Sequence, residues 1–156
     1  RELDALKLDA QLAIVAGRNQ PLEKRLRAAS WNQPTHIYPY IDYMPKLMAA
    51  SDILVTKAGP SSICEACIAG LPVVLYDRIP GQEEGNVAFV VQNDIGVYTP
   101  QPDDAAAAAA AWLREGHAGL AARSARAKAL AEPEAVYHIA DAIWRQLETA
   151  APIPRP

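Results

Sequence analysis

Short apolar runs alternate with helix-like segments along this chain, and this alternation constrains its fold more than any other feature. Each run is bounded by Gly, Pro or polar residues, which is typical of buried strands. The five predicted strands are Gln11–Ala16, Thr35–Tyr38, Asp52–Thr56, Pro72–Tyr76 and Gly96–Tyr98. Buried strands separated by helices predict an α/β fold with a doubly wound parallel sheet.

The segments between the strands carry helical spacing or helix-start residues. The predicted helices are Leu3–Leu8, Pro21–Ala29, Tyr43–Ala50, Ser62–Ala69 (stopped by Gly70) and Asn86–Gln92. From Asp103 onward the pattern predicts a C-terminal helical segment, which Gly116 and Gly119 interrupt and in which Pro133 opens a last helix. We expect one domain over residues 1–149 and a loose, Pro-rich tail over residues 150–156.

The start of the chain differs from the usual order of such sheets, which open with a strand and a Gly-rich turn. Here the chain opens with a helix, at Arg1 and without an initiator methionine. We therefore expect a fragment or processed chain in which the first strand of the sheet is missing.

Composition and charge argue against several classes of protein. The net charge is −3 and there is no basic run, so we expect no nucleic-acid partner. No apolar stretch approaches the roughly 18–20 residues that span a bilayer. Cys64 and Cys67 form a CxxC pair, but no second ligand pair lies nearby, so we predict two small buried residues and no metal site. Free thiols favour a cytoplasmic location.

The segment Lys57–Ala66 joins a predicted strand to a predicted helix through a Gly-Pro-Ser turn. Backbone N–H groups at such a helix start point outward at an anion. Gly59 lets a phosphate oxygen approach the main chain and the hydroxyls of Ser61 and Ser62. Glu65, one turn into the helix, can accept hydrogen bonds from a pair of sugar hydroxyls. The segment therefore suits a nucleotide diphosphate.

Each of these residues also has a structural explanation. Ser62 and Glu65 match a capping box, in which the serine caps the helix and the glutamate reaches back to it. An acidic residue in a first turn also suits the helix dipole. Gly59 could be an ordinary turn glycine.

Two further loops carry polar or open groups where predicted strands end, which is where doubly wound sheets bind ligands. Gln82 and Glu83 follow a stiff Pro-Gly turn, and paired amide and carboxylate groups bind sugar hydroxyls. Ile41 follows the second strand, where a free backbone edge can receive a planar base. An exposed helix start and a plain strand-to-helix turn are the respective alternatives.

Three motifs in order carry a family resemblance. They are Thr56-Lys57-Ala58-Gly59-Pro60 with Glu65-Ala66, then Gly70-Leu71-Pro72, then Ile79-Pro80-Gly81-Gln82-Glu83 with Gly85-Asn86. Together they resemble the monogalactosyldiacylglycerol synthase and processive diacylglycerol glucosyltransferase family. That family is related to the peptidoglycan enzyme that adds N-acetylglucosamine to a lipid intermediate. The resemblance runs from about Gln11 to Tyr98.

The resemblance implies the C-terminal, donor-binding half of a two-domain glycosyltransferase of the GT-B type. It implies a hexosyltransferase that uses a UDP-sugar, inverts the anomeric centre and needs neither a metal nor another cofactor. The implied donor contacts are Ile41 to the uracil, Glu65 to the ribose, Gly59, Ser61 and Ser62 to the diphosphate, and Gln82 and Glu83 to the sugar.

The same resemblance implies a catalytic base and a lipid acceptor site in an N-terminal domain that this chain lacks. We therefore expect no catalytic residue in residues 1–156, and a peripheral position at the membrane for the whole protein. Two alternatives stay open. One is a non-catalytic donor-binding subunit with a separate membrane-anchored partner. The other is a nucleotide-sugar epimerase, which would need its own acid and base residues in the cleft.

Overall fold

The computed structural model describes residues 1–149, so the predicted tail lies outside the described residues. Five strands alternate with helices in this range. The strands are β1 Leu12–Gly17, β2 Thr35–Pro39, β3 Leu54–Lys57, β4 Val73–Asp77 and β5 Gly96–Tyr98. The helices are α1 Glu2–Ala5, α2 Gln20–Arg27, α3 Met44–Ala49, α4 Pro60–Ala69, α5 Glu84–Gln92, α6 Pro102–Ala129 and α7 Ala135–Thr149.

All strand pairs are parallel, which confirms the predicted α/β class. The strands lie in two sheets, one in the order β1-β2 and one in the order β3-β4-β5. In the larger sheet, Val73 of β4 is in register with Leu54 of β3 and Gly96 of β5. No backbone ladder joins β1 to β3 in the described part of the chain.

Strand β4 is the centre of the fold because helices cover both of its faces. Val73 and Leu75 are fully buried in a cluster with Val90 of α5 and other residues of α3 and α4. Val74 points to the opposite face, where it packs against Trp112 and alanines of α6. Burying a side chain of this size contributes about 1.5–3 kcal/mol. Because β3 and β4 are paired in parallel, their carboxyl ends lie at the same edge of the sheet.

Several element boundaries differ from the prediction. Helix α1 ends at Ala5, and Lys7 adopts a left-handed conformation (φ 48°) that stops the helix. Helices α4 and α5 both begin two residues earlier than predicted, at Pro60 and Glu84. Within α6, Gly116 is the one residue with non-helical backbone angles (φ 69°, ψ −166°). This conformation is open almost only to glycine. The predicted break at Gly119 is wrong.

Helix α7 carries an apolar face that nothing covers within residues 1–149. This α7 face consists of Val136, Tyr137, Ile139, Ile143, Trp144 and Leu147, each 57–66% exposed. No residue of α7 is buried. Exposed apolar patches of this kind are typical of interaction surfaces.

Candidate functional site

The turn between β3 and α4, formed by Ala58 and Gly59 and called the α4 turn, leads into a helix start with free backbone donors. Gly59 precedes the helix with extended backbone angles (φ −70°, ψ 130°), and Pro60 is the first helical residue. The first helical bond runs from the amide of Ile63 to the carbonyl of Gly59, at 3.2 Å. The amides of Ser61 and Ser62 have no acceptor in the part of the chain that the structure describes. They can therefore bind an anion, whose charge the helix dipole also favours.

Hydrogen bonds from two sides hold this turn in place. The fully buried Ala58 donates its amide to the carbonyl of Asp77 at 2.9 Å. Its own carbonyl accepts from Nδ2 of Asn86 at 2.8 Å. The space beside Gly59 is open, because a Cβ placed there would meet no atom within 4 Å. The turn is thus fixed on its inner side and accessible on its outer side.

Glu65 lies in the second turn of α4 with an exposed side chain. The capping-box interpretation of Ser62 and Glu65 is wrong, because the helix begins at Pro60 and no side chain caps it. Proline at the first helical position explains the earlier start, since its fixed φ suits the helix and it has no N–H to satisfy. Ser62 is consequently the third helical residue, and the carboxylate of Glu65 keeps its capacity to accept hydrogen bonds.

The loop between β4 and α5 closes on itself through Glu83. This buried residue precedes α5, and its Oε2 accepts from the amide of Ile79 at 2.7 Å. The amides of Gln82 and Glu83 both donate to the carbonyl of Ile79, at 3.2 and 3.0 Å. The side chain of Gln82 is exposed. Of the two predicted sugar-binding residues, Glu83 therefore stabilises its own loop with one carboxylate oxygen. The side chain of Gln82 is free to contact a ligand.

The next carboxylate, Glu84, closes the same loop at its tip. Its Oε1 accepts from the amide of Gly81 at 2.8 Å, and Gly81 adopts a positive φ of 81°. The hydrogen bond from Gly81 lowers the pKa of Glu84, with Arg78 as a smaller cause. Because the pKa is lowered, the ionised carboxylate stabilises the loop at neutral pH. This stabilisation is lost as the pH falls through the lowered pKa.

We expect Glu83→Ala to lower the free energy of unfolding by about 1–2 kcal/mol, because the amide of Ile79 then loses a charge-assisted partner. Urea denaturation measures this change. Gln82→Ala is the matched control, since its exposed side chain should change the free energy by no more than about 0.5 kcal/mol. Equal stability of the two variants would show that Glu83 does not hold the loop.

Ile41 lies half-buried in the loop after β2. Its amide and carbonyl have no partner within the described residues, so both can pair with the polar edge of a base. Next to it, the guanidinium of Arg18 stacks 4.9 Å from the centre of the Tyr40 ring. Helix α3 follows this loop and packs Met48 into the same core cluster as Ile63 of α4. The Ile41 loop is thus tied to the α4 turn through helix packing.

The two cysteines of α4 lie in different surroundings. Cys67 is buried and Cys64 is exposed, so the prediction of two buried cysteines is wrong for Cys64. The buried positions of α4 are Ile63, Ala66 and Cys67, and Cys64 lies outside that face. Burial raises the pKa of the Cys67 thiol, and the nearby Cys64 adds to the rise. Cys67 is therefore a core residue with a poorly reactive thiol.

Residues 1–149 hold no group of three or more His, Cys, Asp or Glu side chains arranged to bind a metal ion. Over the same range no helix has the length and apolar character needed to cross a membrane. Two surface depressions are lined by α1, the start of α6 and parts of β3 and β4, and none of the seven predicted donor residues lines them.

The structure brings two of the three predicted groups together directly. The α4 turn and the loop with Gln82 follow adjacent parallel strands, and Asn86 bridges them. Ile41 follows β2 in the other sheet. In the sequence Asn86 stands out only as part of a motif, and its bridging role was not predicted. A polar residue in the first turn of the helix that follows such a loop is the signal that could have indicated it.

Known proteins resemble this chain in sequence over most of its length. The family model of the glycosyltransferase family 28 C-terminal domain matches residues 1–136. A probable monogalactosyldiacylglycerol synthase 2 of Oryza sativa subsp. indica is 42% identical over 145 residues, which are 93% of this chain and 31% of that protein. Monogalactosyldiacylglycerol synthase 3 of Arabidopsis thaliana is 43% identical over 129 residues, 83% of this chain and 28% of the relative.

Solved structures show the same fold at lower identity. The crystal structure of MurG from Acinetobacter baumannii superposes with a TM-score of 0.73 and 21% identity, covering 93% of this chain and 45% of MurG. The glycotransferase of kitacinnamycin gives a TM-score of 0.63 at 19% identity, covering 93% of this chain and 37% of that one. The chain spans about a third of the length of the curated relatives that it matches. It belongs to the glycosyltransferase family 28 C-terminal domain family.

Proposed function

We propose that this chain is the UDP-sugar donor-binding domain of a glycosyltransferase that transfers a hexose to a lipid acceptor. The observation that carries the proposal is the start of α4. There the free amides of Ser61 and Ser62 and the open space beside Gly59 form a diphosphate site in a chain of this family. The names of the relatives, monogalactosyldiacylglycerol synthases, support a sugar donor and a lipid acceptor.

The remaining donor contacts follow from what each group can offer. The unpaired backbone of Ile41 can hydrogen-bond to a uracil, which has both donor and acceptor edges. The exposed carboxylate of Glu65 can accept from both ribose hydroxyls. The exposed amide of Gln82 can donate to and accept from sugar hydroxyls, and Glu83 has a second oxygen for the same purpose.

The reaction that we propose inverts the anomeric centre and needs no metal. An acceptor hydroxyl attacks the anomeric carbon on the face opposite the UDP, the bond to the diphosphate breaks, and a base takes the hydroxyl proton. Negative charge develops on the leaving diphosphate. The amides and hydroxyls of Ser61 and Ser62 would stabilise that charge without rearrangement, as preorganised donors do. Lys57, about half exposed at the end of β3, lies with its Nζ 4.0 Å from Oδ2 of Asp77, and it can add a positive charge where it turns from this exposed pair to the diphosphate.

We propose that a second domain supplies the base and the acceptor site. One surface of this chain supports the idea: the α7 face is apolar and uncovered in residues 1–149. The relatives are about three times longer than the matched segment, which favours a second domain in the same polypeptide over a separate partner subunit.

A transfer assay with the full-length protein tests this function. The assay offers labelled UDP-glucose, UDP-galactose and UDP-N-acetylglucosamine with diacylglycerol in vesicles, with and without EDTA. We expect one UDP-sugar to give a β-linked glycolipid at a rate that EDTA does not change. An α-linked product would contradict inversion, and loss of activity in EDTA would contradict metal independence. A lipid acceptor also predicts that the protein sediments with the vesicles, as a peripheral protein does.

A further inference from the structure

Arg78 is the first residue after β4, and its side chain contacts the end of the neighbouring strand β5. Its amide donates to Oδ1 of Asp77 at 2.8 Å, which fixes the start of the loop. Its Nη1 donates to the hydroxyl of Tyr98 at 2.7 Å. The guanidinium carbon also lies 5.2 Å from the centre of the Tyr98 ring. One side chain thus makes both a hydrogen bond and a cation–π contact with the same tyrosine.

Tyr98 is a firm anchor for this contact. It is the last residue of β5, half-buried, and it packs against the core cluster that contains Val73 and Leu75. The planar guanidinium is preorganised for such contacts, so little conformational freedom is lost in each. Arg78 is therefore held at its strand end, although it sits in a loop.

The other side of the guanidinium contacts the tip of the loop. Nε of Arg78 lies 3.7 Å from Oε1 of Glu84, and the same oxygen accepts from the amide of Gly81 at 2.8 Å. We call the chain of contacts Tyr98–Arg78–Glu84–Gly81 the Arg78 brace. These contacts connect the core to Gly81, the residue before Gln82, through the ion pair between Arg78 and Glu84. An isolated exposed ion pair contributes little, but here the carboxylate also holds a backbone amide.

Gln82 is exposed at the tip of this loop, and its side chain makes no hydrogen bond within residues 1–149. Glu83 accepts from the amide of Ile79, and Glu84 accepts from the amide of Gly81. We infer that Arg78 is a positioning residue that sets the loop for the transferred sugar, and so controls how tightly the sugar, rather than the nucleotide, is bound. This inference rests on the proposed function.

The test measures KM for the UDP-sugar and the inhibition constant of UDP in the full-length enzyme. Arg78→Met removes the brace, Tyr98→Phe removes only the hydroxyl, and Arg78→Lys keeps the charge without the planar fork. We expect the KM of the UDP-sugar to rise about 3- to 10-fold in Arg78→Met, with a smaller rise in Tyr98→Phe. The inhibition constant of UDP should stay unchanged, and the double variant should be no worse than Arg78→Met.

Arg126→Met is the matched control, because Arg126 also bonds a carbonyl and a carboxylate, those of Asp94, away from this loop. Its kinetic constants should match those of wild type. An equal loss of UDP and UDP-sugar affinity in Arg78→Met would overturn the inference, since Arg78 would then contact the diphosphate itself. An unchanged KM would overturn it as well.

Hydrogen exchange at the amide of Gly81, measured without ligand, separates this inference from the proposed function. Exchange should accelerate at least several-fold in Arg78→Met and Tyr98→Phe, and stay at the wild-type rate in Arg126→Met. An unchanged rate in Arg78→Met would refute the brace even if the enzyme uses UDP-sugars. If the wild-type enzyme uses no UDP-sugar, the proposed function fails, and the positioning role for the sugar fails with it.

Discussion

Gly59→Ala should weaken UDP binding roughly 100-fold while leaving the fold as stable as that of wild type. The backbone angles of Gly59 are open to alanine, and the added methyl group would meet no protein atom within 4 Å. The same methyl would occupy the space through which the diphosphate reaches the amides of Ser61 and Ser62. Losing one or two charge-assisted hydrogen bonds costs about 3 kcal/mol, which corresponds to that factor.

Thermal denaturation should show no loss of stability for Gly59→Ala, and a small gain is expected because alanine restricts the unfolded chain. Gly85→Ala is the matched control. A Cβ at Gly85 also meets nothing within 4 Å, and the residue lies in the first turn of α5, on the neighbouring loop and not at the start of α4. Its UDP affinity should equal that of wild type. Wild-type affinity in Gly59→Ala would mean that the diphosphate does not approach this turn.

Glu65→Ala should lower the affinity for UDP about 10- to 100-fold with no change in stability. Hydrogen bonds to a charged group contribute about 1.5–3 kcal/mol, and the carboxylate is proposed to accept from two ribose hydroxyls. Stability should stay within about 0.5 kcal/mol, because the side chain is exposed and caps no helix. Calorimetry and denaturation together measure both quantities.

Two variants calibrate this result. Cys64→Ala changes the neighbouring exposed residue of the same helix and should leave UDP affinity intact. Glu65→Gln keeps an acceptor but removes the charge, so its loss should be intermediate. A nucleotide without the ribose 2′-hydroxyl should bind wild type more weakly, yet lose less on Glu65→Ala than UDP does. A stability loss with intact UDP affinity would instead make Glu65 a purely structural residue.

The alternation of strands and helices was predictable because each strand is a local apolar run and each helix has local start and stop residues. Gly70 illustrates this, since it ends α4 in a left-handed conformation (φ 73°) as predicted. The division into two sheets was not predictable in the same way. It depends on which strands pair, and pairing is set by contacts between residues far apart in the sequence.

The location of the candidate site was also predictable, because ligand loops follow the carboxyl ends of parallel strands. The internal contacts of the site were not. Asn86 bonds to Ala58, which lies 28 residues away, and Arg78 bonds to Tyr98, which lies 20 residues away. Such bonds depend on side-chain directions that no spacing rule gives. The capping box failed for a local reason, since Pro60 already provided a better helix start.

A calorimetric titration of the full-length protein with UDP and ADP tests the central claim most directly. The backbone of Ile41 is proposed to pair with uracil, whose hydrogen-bonding edge differs from that of adenine, whereas both nucleotides carry the same diphosphate. We predict binding of UDP at least about 10-fold tighter than that of ADP, which corresponds to the roughly 1.4 kcal/mol that a base-specific hydrogen bond contributes. Equal affinities, or no binding of UDP, would contradict the assignment of this edge as a UDP-sugar site.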